Sequence, residues 1–256
     1  MVQFRFDHAI IAVNDLDTAL ADYRALGFNA VYGGEHASGT THNALIVFKD
    51  GSYLELLALT GRTADPTSDA TDFSPLLATG EGLVGFALGV DNLDAVAAAM
   101  RQRGVDSVGA AQAGKRQRAD GVALEWKTVS VNGSMSPFFI EDVTARNLRV
   151  PDNTTTTTHD NGAVGIAAAT FNFADVDVAA ARYTDLLGSQ PTATEHGLVI
   201  ELPQTRLLLN PEGDGSTKPT TAPYRLLIAT NTPNNTGLIR MDQAHGARLL
   251  LVDAGH

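Results

Sequence analysis

Apolar and polar residues alternate from the first few positions of the chain. Phe6, His8, Ile10 and Ala12 fall on one side of an extended run, and Asp7, Ala9, Ile11 and Val13 on the other, so a largely buried strand is predicted here. A polar Asn14-Asp15 follows, then apolar residues at helical spacing that end at Gly27. The succession returns twice more. "HAIIAVNDLDTALADYRALGF", "GFALGVDNLDAVAAAMRQRGV" and "AATFNFADVDVAAARYTDLLGS" each read as a strand, an acidic helix start and an alanine-rich helix closed by glycine. Asp17 to Gly27, Asp94 to Gly104 and Asp177 to Gly188 span 10, 10 and 11 residues, a shared register. Short Asx side chains cap helix starts, and glycine accepts the left-handed conformation at helix ends.

Further strands follow each helix. "THNALIVFKDGSYLELLAL" predicts a hairpin turning at Asp50-Gly51. The second copy offers "VALEWKTVSV" and "SPFFIEDV", the third "GLVIELP" and "TRLLLNP". The unit is therefore strand, helix, strand, strand, strand. The tail, "YRLLIATNT" to "ARLLLVDAG", holds two strands with little helical pattern between them and reads as a degenerate fourth copy. Residues 61–82 and 151–162 lack hydrophobic periodicity and predict surface linkers, the second carrying the run Thr154 to Thr158. The expected fold class is α+β, built from tandem βαβββ modules. Residues 1–150 hold a pair of them (about 4–60 and 82–146), 151–162 a linker, and 163–256 a third with a truncated fourth.

Composition then narrows the function. The 256 residues are 44% hydrophobic and 18% charged, as in ordinary globular proteins. No apolar run approaches the roughly 18–20 residues of a membrane span, and the N-terminus lacks the succession of a signal peptide, so the expected location is cytoplasmic. With no cysteine, disulfides, thiolate metal sites and a cysteine nucleophile are excluded. A net charge of -11 disfavours a nucleic-acid partner. No GxSxG, P-loop or dinucleotide fingerprint is present. The expected partner is a small-molecule substrate, with neither nucleic acid nor membrane. A short "LLIATN" strand beside an incomplete last module leaves an edge that a second copy would cover in a homodimer.

A tandem βαβββ unit with "DHAIIAVNDL" in its first strand and "YLEL" in its last resembles the vicinal oxygen chelate superfamily. The likeness is strongest to its glyoxalase-like branch, where a histidine-containing "GTxN" segment and "YLEL" occur together. Here that stretch reads "GGEHASGTTHNALIVFKDGSYLELL", and "HDNGAVGI" is similar to the junction before the next module. The resemblance implies a glyoxalase/dihydroxybiphenyl dioxygenase-like fold, whose paired modules curve their sheets into a half-open barrel around a divalent metal ion. It also implies that His8 and Glu55 are the first-strand and last-strand ligands of a module. The metal (Zn, Fe, Mn or Ni) would act as a Lewis acid on a vicinal-oxygen substrate, in lyase, isomerase, hydrolase or dioxygenase chemistry.

The repeats test that site independently. His8 lies nine residues before Asp17, and the same offset from Asp94 and Asp177 gives Gly85 and Ala168. Where the first module has Glu55, the others read "PFFIED" and "RLLLN". The first module alone keeps a histidine and a carboxylate, whereas the superfamily draws ligands from two. With a two-residue turn at Asp50-Gly51, Ile46 opposes Glu55, and His42 shares its face about 13 Å along the strand. His36, in the loop just before, is free to fold back over the cup. The third ligand is then His42, His36, a water or a residue of a partner subunit, and Glu55 and His42 are the candidate catalytic residues. The bland alternatives are a hydrogen-bonded core histidine at His8 and a Glu55 paired with Arg5 or Arg62.

Other residues carry two readings each. "AGKRQRAD" places Lys115, Arg116 and Arg118 in a loop, either solvated or clamping a substrate carboxylate or phosphate. Trp126, Phe138 and Phe139 are core residues or walls of the cup. Arg116, Trp126 and Phe139 are the substrate-contact candidates. His159 reads as a linker residue, and His196, His245 and His256 as solvated. Two functions remain open: a metal-dependent enzyme on His8 and Glu55, or a metal-free protein that binds or sequesters a small molecule in the same cup.

Overall fold

The repeats of the sequence return as three runs of elements. The structure, a computed structural model, describes residues 3–63, 74–78, 80–118, 120–132, 137–211 and 222–255. The first run is β1 (Arg5–Ala12), α1 (Leu16–Ala25), β2 (Val31–His36), β3 (Thr41–Val47) and β4 (Tyr53–Leu59), followed by a single turn, α2 (Ser74–Leu77). The second is β5 (Gly82–Gly89), α3 (Leu93–Gln102), β6 (Gln112–Gln117), β7 (Ala123–Ser130) and β8 (Phe138–Asp142). Two more turns, α4 (Arg146–Arg149) and α5 (Thr154–Thr157), lead to β9 (Ala163–Phe173), α6 (Val176–Leu187), β10 (Thr192–Thr194), β11 (Gly197–Glu201) and β12 (Arg206–Pro211). β13 (Arg225–Thr230), β14 (Gly237–Leu238) and β15 (Leu249–Asp253) are the last described strands.

Helix boundaries follow from capping. Asp15, Asn92 and Asp175 accept the first free N–H groups of α1, α3 and α6, while Asp17, Asp94 and Asp177 stand in the first turns. Gly27, Gly104 and Gly188 end the helices at positive φ, as their spacing predicts.

The first two modules close a barrel in the order β1-β4-β3-β2-β6-β7-β8-β5, where a half-open one was expected. Two residue pairs make the closing seam of β2 on β6, Glu35 with Gln117 and His36 with Arg116. The strands from β9 onward form a seven-stranded sheet, β10-β11-β12-β9-β13-β15-β14. The main core fills the space between the barrel's outer wall, the helices and that sheet, with Phe86 against Phe171 at 5.0 Å. Smaller clusters line the barrel's inside. No described helix is long and apolar enough to cross a membrane.

Several expectations change. β13, the "LLIATN" strand, lies between β9 and β15, so it offers no edge; the edges are the very short β10 and β14. The "AGKRQRAD" stretch is largely strand β6, because pairing to β7 and β2 overrides its poor strand propensity. His36 ends strand β2 and is not in a loop. Of the first predicted linker, residues 64–73 and 79 lie outside the described residues, as does His256. His245 is not solvated: its ring nitrogens meet Glu81 at 3.0 Å and Asp22 at 3.1 Å.

The hairpin carries the most consequential change. Gly51 N–H donates to the Phe48 carbonyl at 3.0 Å, Phe48 N–H donates to the Ser52 carbonyl at 2.9 Å, and Gly51 has φ 84°. This is a three-residue loop with a left-handed glycine, not a two-residue turn, and it sets Val47 opposite Tyr53 and Leu45 opposite Glu55. A shift of one residue turns every side chain of a strand to the other face. Asn43, Leu45 and Val47 therefore face into the barrel with Glu55, and His42 faces out. Gly51→Ala keeps open space around its Cβ but forces the left-handed backbone on an alanine. Urea unfolding is expected to show a loss of about 1 kcal/mol; an unchanged midpoint would contradict the assigned loop.

Candidate active site

A bulge in β1 begins the site. Pairing with β5 jumps from Phe6–Leu88 to His8–Ala87, which leaves Asp7 unpaired and turns it to the same side as His8. His8 Nδ1 lies 2.8 Å from Asp7 Oδ1, and its Nε2 lies 3.3 Å from Glu55 Oε2. Tyr53 stacks on the imidazole at 4.6 Å. From β2, His36 brings Nε2 to 3.7 Å from Glu55 Oε1, with Nδ1 held 2.9 Å from Thr41 Oγ1. Asn43 donates its amide N–H to Glu55 Oε1 at 2.6 Å and accepts from Arg116 Nη1 at 2.9 Å. Strands β1 to β4 and β6 thus place two imidazoles, an amide and a guanidinium around one buried carboxylate. The cavity they share is about 30 Å³, walled by Ile10, Leu57, Trp126, Phe138 and Ile140.

Below lies a compact ion cluster. α4 inserts Arg149 between Asp7 and Asp142: its guanidinium donates to Asp7 Oδ1 and Oδ2 at 3.0 and 3.1 Å, to Asp142 Oδ2 at 2.9 Å and to the Tyr53 hydroxyl at 2.8 Å. Arg146 also donates to Asp7. Burial alone would raise the Asp7 carboxyl, but Arg149, Arg146 and the His8 hydrogen bond hold it well below the usual range. Burial likewise opposes Glu55 ionising, and His8, His36, Asn43 and Arg116 together outweigh it, so its pKa is lowered. His36 is pushed down to about 4, chiefly by burial, with Arg116 and His8 adding to it against Glu55. At neutral pH the centre holds an ionised Glu55 beside a neutral His36.

Sequence-predicted residues divide as follows. His8, Glu55, His36, Arg116 and Trp126 come together around the cavity. His42 does not: it packs on the Tyr32 ring outside the barrel, for the register reason above. Phe139 also leaves the site, since it is buried in the main core against Phe4, and Phe138 takes the cavity wall. Arg5 pairs with Asp91 and Arg62 with Glu35, so neither neutralises Glu55. His159 is structural: Nδ1 accepts from Asn29 N–H at 2.9 Å and Nε2 donates to the Val47 carbonyl at 3.0 Å. Asp7, Asn43, Tyr53 and Arg149 were missed. "DH" beside the candidate ligand pointed to Asp7, and the basic pair in "RNLR" to the α4 plug.

The second module supplies no matching ligands. β1 and β5 cross about the Ala9–Phe86 pair, with Ile10 meeting Gly85 on one side and His8 meeting Ala87 on the other. That symmetry makes Gly85 the counterpart of His8. Through the pairs Ile10–Glu55 and Ala87–Phe138, it makes Phe138 the counterpart of Glu55. Among the described residues, no group of three or more His, Asp or Glu side chains is disposed to hold a metal ion as it stands. The shortfall is one of placement. Donors about 2.1 Å from a common ion stand roughly 3.0–3.4 Å apart, which His8 and Glu55 meet and His36, at 3.7 Å, narrowly exceeds. The donor chemistry itself fits: two imidazoles, each anchored through Nδ1, flank one carboxylate.

Comparison with known proteins identifies the family and the fold. Residues 6–187, more than half the chain, match the model of the glyoxalase-like domain family. The chain belongs to that family. Its fold is that of the vicinal oxygen chelate superfamily. A hypothetical protein from Staphylococcus aureus is similar over 98% of this chain and 99% of its own, with a TM-score of 0.77 at 14% identity. An extradiol ring-cleaving dioxygenase from B. fuscum is similar over 98% of this chain and 72% of its own, with a TM-score of 0.55 at 14% identity. Methylmalonyl-CoA epimerase from Mycobacterium tuberculosis matches 54% of this chain and 85% of its own at 22% identity, with a TM-score of only 0.39. No curated protein matches the sequence.

Arg149 supplies a direct test of the cluster. Arg149→Met takes the fully buried cation away from Asp7 and Asp142, leaving them the partly exposed Arg146, and denaturant unfolding is expected to show a loss of about 3–5 kcal/mol; a loss within about 0.5 kcal/mol, the scatter of ordinary surface substitutions, would contradict the described ion pairs.

Proposed function

We propose that this glyoxalase-like protein is a divalent-metal-dependent enzyme acting on a small vicinal-oxygen substrate, with His8, His36 and Glu55 holding the ion. One observation carries this reading: both imidazole Nε2 atoms face opposite oxygens of a single buried carboxylate beside a cavity of about 30 Å³. The ion would polarise a substrate oxygen as a Lewis acid. The chain's own residues do the rest. Asp7 accepts the His8 Nδ1 proton and so keeps Nε2 directed at the cavity, and Thr41 orients His36 in the same way. Asn43 donates to Glu55 Oε1, which leaves Oε2, beside His8 Nε2, as the oxygen that would face the ion. Ile10, Leu57, Trp126, Phe138 and Ile140 exclude water, and charge interactions strengthen in such surroundings. Lyase, isomerase and dioxygenase chemistries share such a centre, and the cytoplasm is the proposed location.

The metal-free binding alternative draws on Gly85 and Phe138 standing where a second pair of ligands would be. Against it, the inner cavity has room for an ion or a water and not for a drug-like guest.

Metal analysis of protein purified without a metal-affinity tag separates the two. About one equivalent of Zn, Fe, Mn or Ni is expected, falling below about 0.1 in His8→Ala and in His36→Ala, since affinity depends on the complete ligand set. His42→Ala, which changes an outward residue, is expected to keep its metal. Wild-type protein that holds under about 0.1 equivalent and takes up none on reconstitution would overturn the reading.

A further inference from the structure

We infer that Arg116 is the receptor for an anionic group of the substrate, a carboxylate or a phosphate, which enters through the basin adjoining the inner cavity. The inference rests on the proposed reading of that cavity as the place of chemistry, and it names the class of molecule that reaches it.

The accounting of charge comes first. Arg116 is only 4% exposed, yet no carboxylate lies within ion-pair distance of it among the described residues. Its partners are neutral oxygens, Asn43 Oδ1 at 2.9 Å and the Arg149 carbonyl at 3.2 Å. Every other arginine around it is paired: Arg149 with Asp7 and Asp142, Arg146 with Asp7, Arg118 with Asp120. The charge of Glu55 acts on it across Asn43 without a direct ion pair, so a guanidinium with five N–H donors has two needs left, further acceptors and a contacting counter-ion. A bidentate anion would satisfy both needs at once.

Access is the second point. Leu45, Arg116 and Arg149 line the inner cavity and also an outer basin of about 300 Å³. Arg118, Tyr32, Asn153 and Thr156 add polar groups to that basin, and Val31, Leu148 and Pro151 give it apolar walls. A volume of this size suits a small organic molecule. Arg116 therefore stands between a basin that admits a small molecule and the His8–Glu55–His36 centre. Asp120 also lines the basin, but it is paired with Arg118, so the three arginines there outnumber its one carboxylate.

The third point is that the backbone has been cleared for this side chain. A Cβ on Gly33 would lie 2.2 Å from Arg116 Nη1 and 2.2 Å from Asn43 Oδ1. Glycine at this position lets the guanidinium and the amide lie flat across β2. The adjoining His36–Arg116 pair is one of the two that close the barrel. Lys115, the next residue on β6, points to solvent, so charge alone does not account for the arrangement.

The test uses inorganic phosphate and acetate as probes in low-chloride buffer containing EDTA, read by the NMR shift of the Arg116 Nε–Hε signal and by calorimetry. Saturable binding in the millimolar range is expected for at least one probe; the tighter of the two distinguishes a phosphate from a carboxylate source. Arg116→Gln should weaken it at least 10-fold, and Arg116→Lys, which keeps charge without the fork, by about 3- to 10-fold. Gly33→Ala should weaken it with Arg116 itself intact, and Lys115→Gln should leave it unchanged. No saturable binding of either probe, or equal weakening by Lys115→Gln and Arg116→Gln, would overturn the inference. Because the titration is metal-free, it can succeed even where the metal analysis fails, and that pair of results would overturn the proposed metal centre alone.

Discussion

An ionised carboxylate inside a closed barrel is the constraint around which this structure is arranged. Glu55 projects inward from the last strand of its module, where burial raises the cost of its charge. That cost is met by donors from separate strands: His8 on β1, His36 on β2 and Asn43 on β3, with Arg116 on β6 behind the amide. Asn43 comes from the facing arm of the same hairpin, while His8, His36 and Arg116 come from more remote strands. The pairing of His36 with Arg116 that closes the ring also delivers two of them to the site, so barrel closure and site assembly are one event.

A second layer of charge supports the first. Arg149, carried in by α4 from beyond the second module, fills the bottom of the barrel and ties Asp7 on β1 to Asp142 on β8. Val150 packs beside it on Leu45, Val47 and Tyr53. This plug explains why the inner cavity is small. It also fixes Asp7, and through Asp7 the ring of His8. Such an arrangement trades interior volume for orientation, as a site with few reactive groups requires.

Much of this was legible in the sequence. Repeat spacing, Asx caps and terminal glycines located the three helices, and the contrast of His8 and Glu55 with Gly85 and the "PFFIED" run set the first module apart from the second. What the letters concealed was mostly register. Asp50-Gly51 suggests a two-residue turn, whereas the chain uses three residues with Gly51 left-handed, and that single step exchanges His42 for Asn43 inside the barrel. The bulge at Asp7 is a second such step, bringing an apparent outward residue in beside His8. Strand β6 escaped because its residues have no strand preference of their own; its pairing to β7 and β2 comes from parts of the chain remote in sequence. Arg149 escaped because its role depends on two aspartates far from it.

Convergence of two imidazoles and a carboxylate on one ion is the central claim, and anomalous scattering tests it most directly. Crystals equilibrated with each candidate metal and measured across its absorption edge should show a single peak touching Nε2 of both His8 and His36 and an oxygen of Glu55, at about 2.0–2.2 Å. If no metal gives a peak there, and Glu55 keeps its direct contacts with the two rings, the metal centre does not exist.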